Sequence, residues 1–232
     1  MNTPSRPRAT KIICTIGPAT DTSDMLGQLI EAGANVFRLN MSHSKHDWVR
    51  EVVFRIRRKA AELEANVAIL FDLQGPSIRT GDLAEPYHLK KGDTVEIRLG
   101  TAKPELPFST TVNYDGLLQD VQAGHTMVVD NGGILMRIAE VRPDRLICDV
   151  LTEGVFGSRR HINLPGVALR LPALTEKDLA DLAVAVECET DYVAMSFVRD
   201  AAHIAQLREH IDNLGGKAQI VAKIEDQQAV RH

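Results

Sequence analysis

A chain of 232 residues can form one large domain or two modest ones, and its 44% apolar content suffices for a sizeable core. The net charge of −4 and the pI of about 6.1 argue against nucleic acid or an anionic membrane as the main partner. No stretch is apolar enough to span a membrane, the beginning of the chain lacks the apolar region of a signal peptide, and the scattered cysteines lack metal-site spacing. We therefore expect a soluble cytoplasmic protein with free thiols.

Short apolar runs alternate with segments of helical periodicity in the first part of the chain. KIICTI (11–16), a short apolar run rich in β-branched residues, predicts a buried strand, and NVFRL (35–39) and NVAILFDL (66–73) predict the next two strands. A helix capped by Thr22 or Ser23 and closed by Gly33 is predicted between the first two strands. A longer amphipathic helix is predicted over residues 47–65.

The pattern changes between residues 83 and 172. Alternating apolar and polar residues in HLKKGDTVEIRL, HTMVVDNGGILMRIAEV and DRLICDVLTEG predict strands, and the sequences KGD, NGG and RPD are typical of turns. No part of this region shows a helical period. We predict a small antiparallel β domain over residues 83–172, inserted into an α/β domain formed by residues 1–82 and 173–232.

The α/β pattern resumes after the insertion. Thr175 to Asp178 resembles a capping box that opens a helix, and Asp200 can cap another. DYVAMSFV (191–198) and AQIVAKI (218–224) are the fourth and fifth predicted strands of this domain, and the fifth looks buried. Strands joined by helices predict a parallel sheet. The pattern leaves open whether this sheet is an open doubly wound one or part of an eight-stranded barrel.

Polar residues collect where the apolar runs end. They are Thr15, Arg38, Asn40, Ser42, His43, Asp72, Ser196, Lys223 and Glu225. The carboxyl ends of parallel strands lie on one side of the sheet, so these residues are expected to converge. Carboxylates and neutral oxygens suit a hard cation such as Mg²⁺, and Arg and Lys suit an anionic substrate.

Each of these residues also has a purely structural interpretation. Asp72 could cap a loop, Asn40 and Ser42 could form a turn, and Arg38 and Lys223 could form buried Arg–Glu or Lys–Asp ion pairs. The pair His43 and His46 lacks a carboxylate at a metal-ligand spacing. The sequence contains no glycine-rich nucleotide loop and no nucleophile elbow, which removes the commonest nucleotide-binding and hydrolase motifs.

Seven segments, in order, resemble the motifs of the pyruvate kinase family. They are KIICTIGPAT (11–20), VFRLNMSH (36–43), DLQGPSIRTGDL (72–83), INLPG (162–166), LTEKDLADL (174–182), DYVAMSFVR (191–199) and VAKIED (221–226). The resemblance implies an α/β fold: an incomplete TIM-type (β/α) barrel of about five of the eight strands, with an inserted small antiparallel β-barrel as a lid. It also implies phosphoryl transfer from phosphoenolpyruvate to ADP, giving pyruvate and ATP, with Mg²⁺ or Mn²⁺ and a role for K⁺.

The resemblance also implies a role for individual residues. Lys223 and Arg38 would be the catalytic cations and would both contact the substrate, whose pocket Ser196 and Phe197 would line. Glu225 would bind the divalent ion. The remaining implied ligands are Asn40, Ser42, Asp72 and the backbone carbonyl of Leu73 for a monovalent cation, and His43, Arg79 and Arg160 for the nucleotide.

The sequence departs from the family pattern at several points. Ser77 stands where the family carries Glu or Lys, which leaves dependence on a monovalent cation open, and VVDNGG and Arg160-His161 differ from the usual lid motifs. No motif with a second carboxylate for the divalent ion follows VAKIED (221–226). We therefore expect a truncated chain that is inactive alone, from a family whose complete members are homo-oligomers. Two alternatives are a non-catalytic homologue that binds phosphoenolpyruvate, metal or a complementary chain, and an unrelated metal-dependent aldolase.

Overall fold

The computed structural model describes residues 9–225 and 227–232. The described residues divide into two compact units, each with its own apolar core. The first unit comprises the residues up to Gly75 together with Ala173–Glu225, and the second comprises Pro76–Pro172 together with residues 227–231. No helix within the described ranges is long and apolar enough to cross a membrane.

The first part of the first unit alternates strands and helices. Its elements are β1 (Ile13–Ile16), α1 (Ser23–Glu31), β2 (Val36–Asn40), α2 (His46–Glu62) and β3 (Ala68–Asp72). The hydroxyl oxygen of Thr22 accepts a hydrogen bond from the Met25 N–H at the beginning of α1, and Gly33 adopts a φ of 95° just beyond its end. These contacts confirm the predicted limits of α1.

The second unit is built mainly of strands. Its elements are β4 (Tyr87–Leu89), β5 (Thr94–Arg98), β6 (Ser109–Thr111), α3 (Leu117–Asp120), β7 (Thr126–Val129), β8 (Ile134–Val141), β9 (Arg145–Val150), β10 (Gly154–Phe156) and β11 (Ile162–Asn163). Six strands form a sheet in the order β11-β7-β8-β9-β5-β6, and β4 pairs with β10. Most neighbours are antiparallel as predicted, but β5 and β6 are parallel, and the short helix α3 was not predicted.

The chain then returns to the first unit. Its remaining elements are α4 (Glu176–Glu187), β12 (Tyr192–Met195), α5 (Ala201–Asn213) and β13 (Gln219–Ala222), and the short helix α6 (Gln227–Arg231) that follows them groups with the second unit. The strands of the first unit form one parallel sheet in the order β1-β2-β3-β12-β13. Each strand lies beside its predecessor in this unit, as in a barrel, whereas a doubly wound sheet reverses its strand order. The first unit is therefore an incomplete α/β barrel.

The two outer strands of this sheet are less buried than predicted. Ile13 on β1 is 58% exposed and Val221 on β13 is 38% exposed, whereas Phe37 and Phe71 on the inner strands β2 and β3 are completely buried. The prediction of buried strands at KIICTI and AQIVAKI was therefore wrong. An outer strand has a neighbour on one side only, so its side chains are covered less.

A buried carboxylate in the second unit connects α3 to a later segment of the same unit. Asp120 accepts hydrogen bonds from the Tyr114 hydroxyl, from the Arg170 backbone N–H at 2.9 Å and from Arg170 Nε at 2.6 Å. Burial by itself would raise the pKa of Asp120, but these donors outweigh burial and hold that pKa below its ordinary value. Burial, together with the hydrogen bond to Asp120, raises the pKa of Tyr114 to about 12.

We expect acid to destabilise the second unit through Asp120. Because its pKa is lower in the folded than in the unfolded chain, its stabilisation is complete above the ordinary value of 3.8 and is lost as the pH falls through the folded-state pKa. Asp120→Asn should lower the free energy of unfolding by about 2 kcal/mol near neutral pH, and by less in acid. Urea unfolding followed by circular dichroism at several pH values measures this. The exposed Asp115 provides a control as Asp115→Asn, and an equal loss at all pH values would contradict the prediction.

Candidate functional site

The carboxyl ends of the first unit's strands gather polar residues as predicted. Strand register places Asn40 of β2 opposite Asp72 of β3, and Met195 of β12 opposite Ala222 of β13. Ser196 directly follows β12, and Lys223 directly follows β13. The parallel pairing therefore brings residues that are far apart in the sequence to one edge of the sheet.

Asp72 is the centre of this cluster. Its carboxylate is 5% exposed and accepts hydrogen bonds from Nε and Nη2 of Arg38, the first at 2.8 Å. Lys223 Nζ donates to the other carboxylate oxygen at 3.1 Å, and Arg38 Nη1 donates to the Thr15 hydroxyl at 2.9 Å. The side chains of Arg38 and Lys223 remain 29% and 30% exposed. Two fixed cations thus converge on one buried carboxylate and still face solvent, where an anion can reach them.

Ser196 and Glu225 fix the position of Lys223. The ammonium donates to Ser196 Oγ at 2.8 Å, and Ser196 Oγ donates to the Leu73 carbonyl oxygen at 2.7 Å. Glu225 Oε1 lies 3.5 Å from Lys223 Nζ, and its Oε2 accepts the Phe197 N–H at 2.9 Å. The ammonium is therefore surrounded by oxygen acceptors from three strand ends, which restricts its rotamers.

The loop after β3 packs closely against the turn after β12. Gly75 has a φ of 69°, and a Cβ at this position would lie 3.0 Å from atoms of both Ser196 and Phe197. The Gly75 N–H donates to Asp178 Oδ1 at 3.0 Å, and Asp178 is completely buried. Asp178 also forms the capping box with Thr175 that begins α4, as predicted. Its second role, of holding Gly75, was missed because the two residues are 103 positions apart.

The residues predicted to bind a monovalent cation lie in and after β2 and β3. Asn40 Oδ1 accepts the Ser42 N–H at 3.2 Å, and the Asn40 carbonyl oxygen accepts the His43 N–H at 3.4 Å and the Ser44 hydroxyl at 2.8 Å. These bonds form the turn that was the structural alternative for Asn40 and Ser42. The side chain of His43 is exposed. Binding of a monovalent cation by Asn40 and Ser42 is compatible with this turn and stays a prediction.

The donor chemistry of the site fits hard cations. Asn40, Ser42, Asp72 and the Leu73 carbonyl offer neutral oxygens with one carboxylate, a set typical of a weakly held monovalent ion. Glu225 is 33% exposed, and its two oxygens retain lone pairs beyond their contacts with Lys223 and Phe197, so it can serve as one ligand of a divalent ion. Within residues 9–225 and 227–232, no group of three His, Cys, Asp or Glu side chains is arranged to hold a metal.

The other two predicted nucleotide ligands lie in the second unit. Arg79 donates from Nη1 to the Arg159 carbonyl oxygen at 3.1 Å and from Nε to Ser77 Oγ at 3.3 Å. Arg160 forms an ion pair with Asp130 at 3.3 Å, and its Nε is buried without a hydrogen-bond partner. Nucleotide binding by Arg79 and Arg160 therefore stays a prediction.

Comparison with known proteins identifies the family to which this architecture belongs. The family model described as "Pyruvate kinase, barrel domain" matches residues 7–232. The chain is 37% identical to plastidial pyruvate kinase 2 of Arabidopsis thaliana, with 98% of this chain and 39% of the relative covered. It is 36% identical to pyruvate kinase isozyme G, chloroplastic, of Nicotiana tabacum, with 97% and 40% covered.

A bacterial relative gives the same result. The pyruvate kinase of Staphylococcus aureus (strain USA300) is 35% identical, with 96% of this chain and 38% of the relative covered. The chain thus spans about two-fifths of the length of the curated relatives it matches. The family model covers nearly all residues, and these three relatives are all pyruvate kinases. The sequential order of the parallel strands is consistent with the barrel domain that the model describes. The chain therefore belongs to the pyruvate kinase family.

Proposed function

We propose that the strand-end cluster is a phosphoryl-transfer site of the pyruvate kinase type, which moves the phosphoryl group of phosphoenolpyruvate to ADP and yields pyruvate and ATP. The observation that carries the proposal is the convergence of Arg38 and Lys223 on Asp72, next to Glu225. Phosphoryl transfer depends mainly on positioning and on fixed charges that stabilise the transferring group. An ammonium and a guanidinium held at one edge of the sheet meet both needs.

Each residue of the cluster has a distinct part in this proposal. Lys223, held by Ser196, stabilises the charge on the phosphoryl group in the transition state, and Arg38 binds the phosphate of the substrate. Ser196 and Phe197 shape the pocket for the rest of the substrate. Phe197 adopts a left-handed φ of 55°, and its backbone N–H donates to Glu225 Oε2.

The proposed site would also bind metal ions and the nucleotide. Glu225 would hold a divalent ion, Mg²⁺ or Mn²⁺, which when bound neutralises charge on phosphoryl oxygens. Asn40, Ser42, Asp72 and the Leu73 carbonyl would hold K⁺. We assign His43, Arg79 and Arg160 to the nucleotide, and residues 83–172 to a lid on the barrel domain.

We expect the 232-residue chain to be inactive by itself. In the part of the chain that the structure describes, Glu225 is the one carboxylate of this site that is substantially exposed, because Asp72 is buried beneath two cations. One carboxylate with substrate oxygens holds Mg²⁺ weakly. The alternative function, a homologue that binds phosphoenolpyruvate without catalysis, therefore differs from the proposal in turnover and not in binding.

Calorimetric titration with phosphoenolpyruvate, in buffer with Mg²⁺ and K⁺, tests the proposed function. The unaltered chain should bind, Arg38→Met should weaken binding about 30-fold or more, and Arg58→Met, at an exposed arginine of α2, should change little. An assay coupled to lactate dehydrogenase then measures turnover. Absence of binding by the unaltered chain would contradict the proposal. Binding without turnover, when residues 7–232 replace the matching segment of the Staphylococcus aureus pyruvate kinase, would favour the non-catalytic alternative.

A further inference from the structure

A second polar cluster lies beside the site, between α4 and the segment Met41–His46, which joins β2 to α2. Its centre is Asp181, whose side chain is completely buried. Lys177 Nζ lies 2.6 Å from Asp181 Oδ2, and His46 Nε2 lies 2.7 Å from Asp181 Oδ1. A buried carboxylate is costly unless both oxygens have partners, and here both do. The three side chains therefore form a cluster with defined geometry.

Lys177 extends this cluster to the backbone beside the site. Its ammonium also donates to the Met41 carbonyl oxygen at 2.7 Å. The N–H of Met41 donates to the Asp72 carbonyl oxygen at 3.0 Å. The two peptide groups of Met41 are thus held by α4 on one side and by the end of β3 on the other.

The segment is anchored at both ends and carries site residues in between. Lys177 holds its beginning at Met41, and Asp181 holds its end at His46, the first residue of α2. Ser42 and His43, which we assigned to the monovalent cation and the nucleotide, lie between these two anchors. Within this turn, Ser42, His43 and Ser44 donate hydrogen bonds to Asn40.

The cluster is distinct from the apolar contacts that hold α4 in the unit. Leu182 and Ala185 of α4 are buried in the same core as Val49 and Val52 of α2. Loss of a polar contact at Lys177 leaves these apolar contacts in place. The fold should therefore survive a substitution that releases the segment.

We propose that Lys177 and Asp181 are positioning residues, which set the location of Ser42 and His43 by fixing the segment Met41–His46 to α4. The inference rests on the proposed function for the roles of Ser42 and His43. Lys177 and Asp181 bond to each other, to His46 and to the Met41 carbonyl oxygen, and none of these bonds reaches Arg38 or Lys223. Their removal should therefore change nucleotide affinity selectively and leave phosphoenolpyruvate affinity, which depends on Arg38, nearly unchanged.

Hydrogen exchange and calorimetry on Lys177→Met test this inference with the 232-residue chain. Amide exchange of Ser42 and His43, whose N–H groups bond to Asn40, should accelerate about tenfold, since a charge-assisted hydrogen bond to the segment is lost. The affinity for ADP with Mg²⁺ should fall about fivefold to tenfold, with that for phosphoenolpyruvate changed less than about twofold. Lys177→Arg, which retains a cationic donor, should recover much of both effects.

The control is Lys217→Met, which removes an exposed lysine that precedes β13, at the opposite end of the sheet. Unchanged exchange of the Ser42 and His43 amides in Lys177→Met would overturn the inference, whatever the ligands do. Equal losses of ADP and phosphoenolpyruvate affinity would also overturn it, because they indicate general loosening. If the unaltered chain binds neither ligand, the proposed function fails, and the exchange rates still decide whether Lys177 fixes the segment.

Discussion

Lys223→Met is expected to lower the kcat of phosphoryl transfer about 1000-fold or more, while the affinity for phosphoenolpyruvate changes less than about threefold. The physical reason is that a fixed positive charge at this position acts mainly on the charge that develops in the transition state. Met preserves most of the side chain's length and apolar stem. Arg38 remains in place to bind the ground-state phosphate.

The measurement needs a background in which turnover is easily detected. Residues 7–232 can replace the matching segment of the Staphylococcus aureus pyruvate kinase, and this chimera is assayed beside the 232-residue chain. Lys217→Met is the matched control, and Lys223→Arg tests whether charge alone is sufficient. Equal losses in kcat and in calorimetric affinity would contradict the role assigned to Lys223.

Asp178→Ala is expected to have the largest effect on stability. It should lower the free energy of unfolding of the first unit by about 3 kcal/mol. Its completely buried carboxylate accepts the Gly75 N–H at 3.0 Å, the Thr175 N–H at 2.9 Å and the Thr175 hydroxyl at 2.7 Å. Alanine removes all three acceptor contacts and leaves buried donors unsatisfied. Urea unfolding followed by the fluorescence of Trp48, the single tryptophan of the sequence, reports on this unit.

Asp200→Ala provides the comparison for Asp178→Ala. Asp200 caps α5 by accepting the His203 N–H at 3.2 Å, and its loss should cost about 1 kcal/mol, as for an ordinary helix cap. The difference between the two variants then measures the additional contribution of the Gly75 contact and of burial. Equal costs would show that Asp178 acts only as a cap.

Local chemistry made much of the fold predictable. Thr22, Thr175 and Asp200 cap helices where the sequence predicted them, because a cap depends on residues only a few positions away. The exposure of β1 and β13 could not be predicted in this way, since it depends on strand neighbours that are distant in the sequence. The parallel pairing of β5 with β6 was missed for the same reason.

The clustering of polar side chains at the strand ends was predictable from the sequence, but the contacts within the cluster were not. Because the carboxyl ends of parallel strands lie on one side of a sheet, the sequence predicted that Arg38, Asp72, Ser196 and Lys223 would lie together. The structure places these four side chains in hydrogen-bond contact. The structural alternative of a Lys–Asp pair is also realised, because Lys223 and Asp72 do form an ion pair. Asp178 and Asp181 of α4 contact two different segments, at Gly75 and at His46. These contacts depend on tertiary packing, so neither periodicity nor motif spacing could predict them.

The arrangement around Asp72 has a thermodynamic consequence for any ions that bind there. Arg38 and Lys223 carry two positive charges, and Asp72 and Glu225 carry two negative ones, so the four groups sum to zero. A lone anion or a lone metal ion would move this sum away from zero, whereas an anion and cations that bind together offset one another's charge. Substrate and cation should consequently strengthen each other's binding by the same factor, as linkage requires.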